Sequence, residues 1–353
     1  MILDDINSYQ DYDAISQSGL KKLLEGPKEY VKNTNVDSNA LRLGTVIDEL
    51  VTQHEDDYSF IVYDKEGLKP TGQMLALLNF VIDKLKVDGE YFDLVKSLEE
   101  GYNVVGFKRD SFDKILTRWE KESSDYFNYH LEAKQDNKFL VDKDTYELAC
   151  ILAMKIQSNE KISDLIRGTK GKDVYKQLAI YWEHPNYTGI KLKSLLDFVV
   201  IDHKNKTILP IDLKTSSFKY RAFIGQARKL RYDIQAAFYT DAIKFSKQFE
   251  SLGHYRILPF KFLYLYTGDV TEDPVLFDVT ENFIKVGRNG GNNKVSKEYV
   301  KGYIDLLEDY CFYSKSGNWD KHRDLVENEN LELDYSYLEA IEDTPISIYE
   351  VNK

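Results

Sequence analysis

Alternating and clustered apolar residues in the second half of the chain predict a β-sheet. Residues 174–182, 190–201, 207–215 and 260–266 are rich in β-branched and aromatic side chains, which is typical of strands. Between the third and fourth of these stretches, helical spacing predicts one long helix over about residues 221–249. The order β-β-β-α-β, preceded by a helical region, predicts a mixed α/β fold with helices flanking a mixed sheet.

The first half of the chain shows helical spacing of its apolar residues. Residues 40–51 predict an amphipathic helix that contains Gly44, which costs about 1 kcal/mol relative to Ala in a helix interior. A close approach of a backbone or a ligand would explain this glycine. Residues of about 70–170 are predicted to be a helical insertion. Its clearest helices are expected at 74–85, 111–121 and 142–157.

The pattern predicts a single domain over residues 1–326. The sheet and the helix that follows its third strand occupy about residues 173–270. Residues 327–353 carry many acidic and few basic side chains, which predicts an acidic C-terminal tail.

Composition narrows the class of protein. The chain has 47 basic and 59 acidic side chains and a net charge of −12, which disfavours a nonspecific nucleic-acid coat but permits a local basic groove. Its two cysteines exclude a disulfide framework and a four-cysteine metal site.

No apolar run is long enough to cross a membrane, and the acidic N-terminus does not resemble a signal peptide. We therefore expect a cytoplasmic protein with no membrane partner.

The second and third strands place charged residues opposite each other. The simplest connection between them is the four-residue polar loop 203–206. Counting outward from this loop along both strands places Asp197 directly opposite Asp212, with the Cβ atoms about 5 Å apart. Lys214 lies two residues beyond Asp212 and therefore shares its face of the sheet.

Two opposed carboxylates repel each other unless a cation lies between them. Oxygen ligands suit Mg²⁺ or Mn²⁺, and the backbone carbonyl of Leu213 is a further potential ligand. Lys214 could then orient or activate a water molecule for metal-assisted phosphodiester hydrolysis. The alternative is a salt-bridge ladder on an exposed strand. Apolar residues on both sides of Asp197 and Asp212 favour a site instead.

The predicted long helix adds polar side chains next to these strands. Gln235 and Tyr239 are four residues apart and share a face. Arg231 and Arg228 extend that stripe, and Lys229 lies alongside. The arginines could bind DNA phosphates, while Gln235 and Tyr239 position the strand to be cut. A surface basic patch that offsets the acidic net charge is the alternative interpretation.

Five segments occur in an order that is typical of one nuclease family. They are residues 12–20, residues 40–48, Gly189 with Lys193 and Asp197, residues 212–215, and residues 232–239. Together they resemble the PD-(D/E)XK nuclease superfamily and, within it, the RecE-type, exodeoxyribonuclease VIII-like branch of phages and bacteria. The resemblance extends over residues 12–54 and 173–245.

The resemblance implies a restriction-endonuclease-like core of three layers around a mixed sheet. It also implies a metal at the Asp197 and Asp212 pair, with Lys214 as the catalytic lysine. The helix of residues 40–51 would lie near the metal, so Asp48 is an expected ligand although many relatives have His there, and Glu49 is the alternative. Gln177 stands where many relatives carry an acid. Leu195 and Leu196 replace an arginine-rich stretch.

The resemblance also implies a function and partners. We expect a Mg²⁺-dependent exonuclease that hydrolyses duplex DNA during recombination or phage DNA processing. Relatives act with a single-strand annealing protein and assemble as homo-oligomeric rings, which are therefore expected here. Two alternatives stay open: an endonuclease or a single-strand or RNA nuclease of the same fold, and a non-catalytic nucleic-acid-binding or scaffold protein with a degenerate nuclease fold.

Overall fold

A six-stranded mixed sheet forms the centre of the molecule. A computed structural model describes residues 9, 12–32, 38–64, 69–88, 91–294 and 296–327. The strands are β1 (Phe60–Tyr63), β2 (Phe139–Asp142), β3 (Lys172–Trp182), β4 (Leu192–Asp202), β5 (Thr207–Ser216), β6 (Arg256–Ile257), β7 (Lys261–Tyr266), β8 (Val275–Asp278), β9 (Gly291–Asn292) and β10 (Tyr299–Val300). In the main sheet the order is β3-β4-β5-β7-β8, and β6 pairs with β5. The four strands predicted from the sequence are confirmed.

Helices surround this sheet. They are α1 (Gln17–Lys21), α2 (Pro27–Val31), α3 (Asn39–Thr52), α4 (Gly72–Asp88), α5 (Leu94–Val105), α6 (Phe112–Glu122), α7 (Ser124–Gln135), α8 (Lys143–Ser158), α9 (Glu160–Ile166), α10 (Tyr220–Lys229), α11 (Tyr232–Phe245), α12 (Glu281–Asn289), α13 (Tyr303–Ser316) and α14 (Arg323–Glu327). Short 3₁₀ turns occur at Lys22–Leu24, Glu55–Asp57 and Lys247–Leu252. The predicted mixed α/β class, with a mixed sheet flanked by helices, is confirmed.

The hairpin of β4 and β5 has the predicted register. Asp202 pairs with Thr207, and the antiparallel ladder continues to Phe198 opposite Ile211. The loop is stabilised by Asp202, whose carboxylate accepts hydrogen bonds from the backbone and side-chain nitrogens of Asn205 at 2.9 and 2.7 Å. The ladder stops at the pair of Phe198 and Ile211, one residue short of Asp197 and Asp212.

Helices cover both faces of the sheet. Because side chains alternate along a strand, Val199 packs on one side with Phe238 of α11 and Leu20 of α1. Phe198 packs on the other side with Val46 of α3. This second side also receives α8 and α9. The alternation along β4 is interrupted at Asp197, because Leu196 and Val199 pack in the same cluster although they are three residues apart.

The region of residues 70–170 is helical as predicted, but it contributes to two cores. The helices α4 to α7 pack around their own apolar cluster, which includes Leu77, Trp119 and Phe127. In contrast, Leu152 of α8 and Ile162 of α9 join the core on the second face of the main sheet. The parallel pair of β1 and β2 lies between these two groups.

The single long helix predicted over residues 221–249 is wrong. The chain forms α10, breaks after Lys229, and begins α11 at Tyr232. Arg231 adopts a left-handed backbone conformation, with φ of 53°, at the start of α11. Arg228, Arg231 and Gln235 therefore do not form a stripe on one helix.

No helix among the described residues is both long and apolar enough to traverse a lipid bilayer. The predicted acidic tail from residue 328 onward lies outside the described residues.

Gly44 marks a close contact between α3 and β5. A Cβ atom added at Gly44 would lie 2.8 Å from Oγ1 of Thr215. A close approach is present as predicted, but the group that approaches is a side-chain hydroxyl and not a backbone or a ligand. The contact holds α3 against the end of β5 that carries Lys214.

Substituting glycines inside two helices should have opposite effects on stability. Gly44→Ala should lower the free energy of unfolding, because the clash with Thr215 outweighs the gain of about 1 kcal/mol in helix propensity. Gly225→Ala, where an added Cβ meets nothing within 4 Å, should raise it by about 1 kcal/mol. Urea unfolding followed by circular dichroism measures both. The explanation is wrong if Thr215→Ala does not restore the stability of Gly44→Ala.

Candidate active site

Asp197 and Asp212 lie one residue beyond the last pair of the β4–β5 ladder, and their charges interact. Asp197 Oδ2 accepts a hydrogen bond of 2.6 Å from the backbone nitrogen of Leu213. Asp212 is only 2% exposed. Burial raises the pKa of Asp197 well above its usual value, and the charges of Asp212 and Asp48 raise it further. Burial also raises the pKa of Asp212. The hairpin thus places two acids where ionisation of both is costly.

Lys214 supplies the nearest positive charge. Its Nζ lies 2.5 Å from Oδ2 of Asp212 and 5.0 Å from the centre of the Tyr232 ring. Burial alone lowers the pKa of Lys214, but the carboxylates of Asp212 and Asp197 outweigh burial and raise it above its usual value. Lys214 is therefore protonated at neutral pH.

Asp48 reaches the pair from α3. Nε2 of Gln177 donates to Asp48 Oδ2 at 2.6 Å and lies 3.5 Å from Oδ1 of Asp197, so one amide joins the two acids. Burial, and then the charge of Asp212, raise the pKa of Asp48 to about 7. Asp48 Oδ1 is buried and accepts no hydrogen bond within the part of the chain that the structure describes.

Glu49, the alternative ligand, points elsewhere. Its two carboxylate oxygens accept hydrogen bonds from the backbone nitrogen and the hydroxyl of Ser59, at 2.9 and 2.5 Å. These bonds tie α3 to the loop before β1. Of the two adjacent acids, the geometry favours Asp48 as the one that takes part in the site.

Gln177 has a strained backbone at this point. Its φ of 46° lies in the left-handed region, although it is inside β3, and the ladder between β3 and β4 omits the pair of Gln177 and Asp197. Such a conformation costs on the order of 1–3 kcal/mol for a non-glycine residue and is common at functional sites. The kink turns the amide of Gln177 toward both carboxylates. The sequence indicated Gln177 only through the resemblance to the PD-(D/E)XK superfamily, as a departure from the acid expected at this position.

Gln235 and Tyr239 support the site from α11. Nε2 of Gln235 donates to Asp212 Oδ1 at 2.7 Å, and Gln235 is 5% exposed. Tyr239 is also buried, and burial followed by the charge of Asp212 raises its pKa well above the usual value. In this arrangement Gln235 orients Asp212, whereas the sequence pattern predicts that it positions the DNA strand.

Lys21 is a second cation at the site, and sequence analysis did not identify it. Its Nζ donates to the backbone oxygen of Leu230 at 3.2 Å. Burial, and then the ammonium of Lys214, lower the pKa of Lys21 to about 8, while Asp212 acts in the opposite direction. Lys21 directly follows the opening segment 12–20, which is the only signal that could have indicated it.

The predicted DNA-contacting residues are separated by the helix break. Arg231 binds the carboxylate of Asp233 with two hydrogen bonds, of 3.0 and 2.8 Å, and donates to the carbonyl of Lys301 at 2.6 Å. It therefore fixes the start of α11. Arg228 and Lys229 are exposed in the last turn of α10.

A cleft of about 620 Å³ opens beside Asp48 and Gln177. Five acids line it, and Lys138 is its one basic member among the described residues. The acids are Asp48, Glu49, Asp56, Asp57 and Asp136. Such a lining attracts cations and repels phosphate groups. A nucleic acid is therefore expected to approach from the opposite side, where Lys21 and Lys214 lie.

Carboxylates dominate the site, but in this structure their oxygens do not converge on a single position. Among the described residues, no three His, Cys, Asp or Glu side chains are gathered closely enough to hold a metal ion as they stand. The amide of Gln177 lies between Asp48 and Asp197, and the ammonium of Lys214 lies against Asp212. The chemistry of the site nevertheless fits a hard divalent cation, because all the atoms that could bind the metal are oxygens. One of them, Asp48 Oδ1, is buried and has no hydrogen-bond partner among the described residues.

Comparison with known proteins gives little information on family. No protein-family model matches the chain, and no curated protein matches it. The crystal structure of SSO0001 is similar over 80% of this chain and 88% of that chain, with 11% sequence identity and a TM-score of 0.24. A likeness at this level carries no argument about fold family or function.

Proposed function

We propose that this chain is a Mg²⁺-dependent deoxyribonuclease with a PD-(D/E)XK-type core, which hydrolyses duplex DNA from an end during recombination or phage DNA processing. The observation that carries the proposal is the approach of Asp48, Asp197 and Asp212 to one another beside the protonated Lys214. The order of the five sequence segments supports the same conclusion.

Asp48, Asp197 and Asp212 are the residues that would hold Mg²⁺ or Mn²⁺, and the carbonyl of Leu213 is a further candidate. When bound there, the ion would polarise a phosphate oxygen and lower the pKa of a water molecule. The unpaired Asp48 Oδ1 supports this assignment, because a buried carboxylate oxygen without a partner is costly.

Lys214 is expected to act as a cationic donor. Because its pKa is raised, it does not remove a proton from water at neutral pH. Instead its charge opposes the effect of burial on the pKa of Asp212, and it can donate to an attacking water or to a phosphate oxygen that gains negative charge. Gln235 fixes Asp212 Oδ1, so the carboxylate presents its other oxygen toward Lys214.

Partners follow from the same proposal. An exonuclease of the RecE type would act with a single-strand annealing protein and assemble as a homo-oligomeric ring. In a ring, the acidic exterior of a chain with net charge −12 is compatible with a basic inner channel.

Purified protein should shorten linear duplex DNA from its ends in the presence of Mg²⁺ and leave it intact in EDTA. A panel of linear duplex, covalently closed circular, single-stranded DNA and RNA substrates, resolved on gels, tests the proposal. Nicking of the closed circle would indicate an endonuclease instead. Absence of hydrolysis of every substrate, with Mg²⁺ and with Mn²⁺, would favour the non-catalytic alternative.

A further inference from the structure

The segment around α10 has an unusual charge for this protein. Residues 217–232 contain no acid, although the whole chain has a net charge of −12. Their basic side chains are Lys219, Arg221, Arg228, Lys229 and Arg231. Because acids outnumber bases elsewhere, this segment is a local positive surface.

Two exposed stripes run along α10. Its buried side consists of Phe223 and Ala227, which pack on the core. A basic stripe at helical spacing contains Arg221, Gly225, Arg228 and Lys229, all exposed. Next to it Tyr220 and Ile224 are 42% and 55% exposed, and Phe218, two residues before the helix begins, is 58% exposed.

Three of the cations on α10 are available to a ligand. Within the described ranges, no carboxylate lies at ion-pair distance from Arg221, Arg228 or Lys229. By contrast, Lys219 pairs with Glu272 at 3.3 Å, and Arg231 with Asp233. Nε of Arg221 donates to the hydroxyl of Tyr220 at 3.1 Å, which holds the two side chains together.

Gly225 has no role in packing within the described chain. A Cβ added there would meet nothing within 4 Å, whereas one at Gly44 would clash with Thr215. A glycine in an exposed helix interior costs about 1 kcal/mol relative to Ala. Between Arg221 and Arg228, this glycine leaves the helix backbone open to close approach by a ligand.

Contacts connect α10 directly to the candidate active site. The Phe223 ring lies 5.8 Å from the Tyr232 ring, over which the Lys214 ammonium is placed at 5.0 Å. Lys21 donates to the carbonyl of Leu230, just after α10. Phe223 belongs to the buried side of α10, so it is the C-terminal end of this helix that lies close to Lys21 and Lys214.

We propose that the exposed face of α10 binds single-stranded DNA next to the cleavage site. Phe218 and Tyr220 would stack on unpaired bases, Arg221, Arg228 and Lys229 would contact phosphates, and Gly225 would admit the sugar-phosphate backbone. A single strand is favoured over a duplex because stacking on aromatic side chains requires bases that are not already paired. This inference rests on the proposed function, because it specifies which form of the substrate the nuclease holds.

Fluorescence anisotropy of a labelled oligothymidine in EDTA measures this binding without hydrolysis. Phe218→Ala and Tyr220→Ala should each weaken binding about five- to tenfold or more, since one base stack is lost. Arg228→Ala should reduce the slope of log affinity against log salt by about 0.7, since one phosphate contact is lost. Tyr91→Ala and Arg109→Ala are the controls, because they remove exposed residues of the same types at distant positions in the sequence. They should change neither the affinity for the oligothymidine nor its salt dependence.

Gly225→Ala provides a readout that a purely structural role would not give. The variant should be more stable than the native protein and yet bind the oligothymidine more weakly. Equal or tighter binding by this stabilised variant would argue against close contact with the backbone of α10.

Other outcomes overturn the inference and identify its replacement. If the α10 variants weaken binding of a blunt duplex as much as that of the oligothymidine, the surface binds duplex DNA. If the α10 variants leave DNA binding unchanged but abolish a concentration-dependent dimer in sedimentation, the surface binds a second copy of the chain. Because the assay needs no hydrolysis, a protein that binds but never cleaves contradicts only the proposed function. If the native protein cleaves DNA but the α10 variants bind the oligothymidine as tightly as it does, only this inference is contradicted.

Discussion

Asp212→Asn abolishes Mg²⁺-dependent hydrolysis of linear duplex DNA, lowering kcat/KM by roughly 10³-fold or more. The expected size follows from the several kcal/mol of charge stabilisation that a catalytic cation provides, since about 4 kcal/mol corresponds to three orders of magnitude. Asn keeps an oxygen that can accept the hydrogen bond from Gln235, so the fold should persist. Release of a fluorescent end label, with circular dichroism of each variant, measures both quantities.

Asp202→Asn is the matched control. Asp202 lies at the other end of the same hairpin, where it accepts hydrogen bonds from Asn205, and Asn can replace one of these acceptors. This variant should keep activity close to that of the native protein. Full activity of folded Asp212→Asn would show that the carboxylate pair is not the site of hydrolysis.

Asp48→Asn should stabilise the metal-free protein near pH 8 while removing its stabilisation by Mg²⁺. The native side chain carries a charge beside Asp212 and Asp197 in a buried setting, and the variant does not. We expect a gain of about 1 to 3 kcal/mol, less than the pKa displacement alone would give, because the side chain keeps some contact with solvent. Thermal unfolding with and without Mg²⁺ measures the effect.

The gain from Asp48→Asn should depend on pH in a defined direction. The pKa of Asp48 is about 7 in the folded protein and near its ordinary value of 3.8 in the unfolded chain, so the folded state binds the proton more tightly. The native protein therefore loses stability as pH rises from about 4 to 7, and the variant loses less. The difference in free energy of unfolding between Asp48→Asn and the native protein should be small near pH 4 and level off above pH 7.

Glu49→Gln distinguishes the two adjacent acids. Glu49 accepts two hydrogen bonds from Ser59, so its replacement should destabilise the protein and leave the Mg²⁺ effect unchanged. If Asp48→Asn instead lowers stability near pH 8, Asp48 has a structural role and the assignment of the site is wrong.

The register of the β4–β5 hairpin could be predicted from the sequence because local rules determine it. A four-residue loop sets the register of a hairpin, and a period of two decides which side chains share a face. Both rules place Asp212 and Lys214 together, whereas the alternation along β4 is interrupted at Asp197. The close approach at Gly44 was also predictable, since a glycine inside a helix needs a reason.

Other features depend on contacts between residues far apart in the chain. Lys21 and Leu230 are 209 positions apart, and no local pattern connects them. The helix break at Arg231 contains neither Gly nor Pro and is fixed by the hydrogen bonds of Arg231 to Asp233 and to Lys301. The left-handed backbone of Gln177 likewise reflects the carboxylates that its amide joins. In each case tertiary contacts override the local preference of the chain.

Calorimetric titration of the metal-free protein with Mn²⁺ near pH 8 is the most direct test of the central claim. We expect saturable binding to the native protein, because Mn²⁺ held by Asp48, Asp197 and Asp212 would offset the repulsion between their carboxylates, and loss of that binding in Asp197→Asn. The same titration of Asp202→Asn should match the native protein. The account is contradicted if the native protein takes up no Mn²⁺, or if folded Asp197→Asn binds it as tightly as the native protein does.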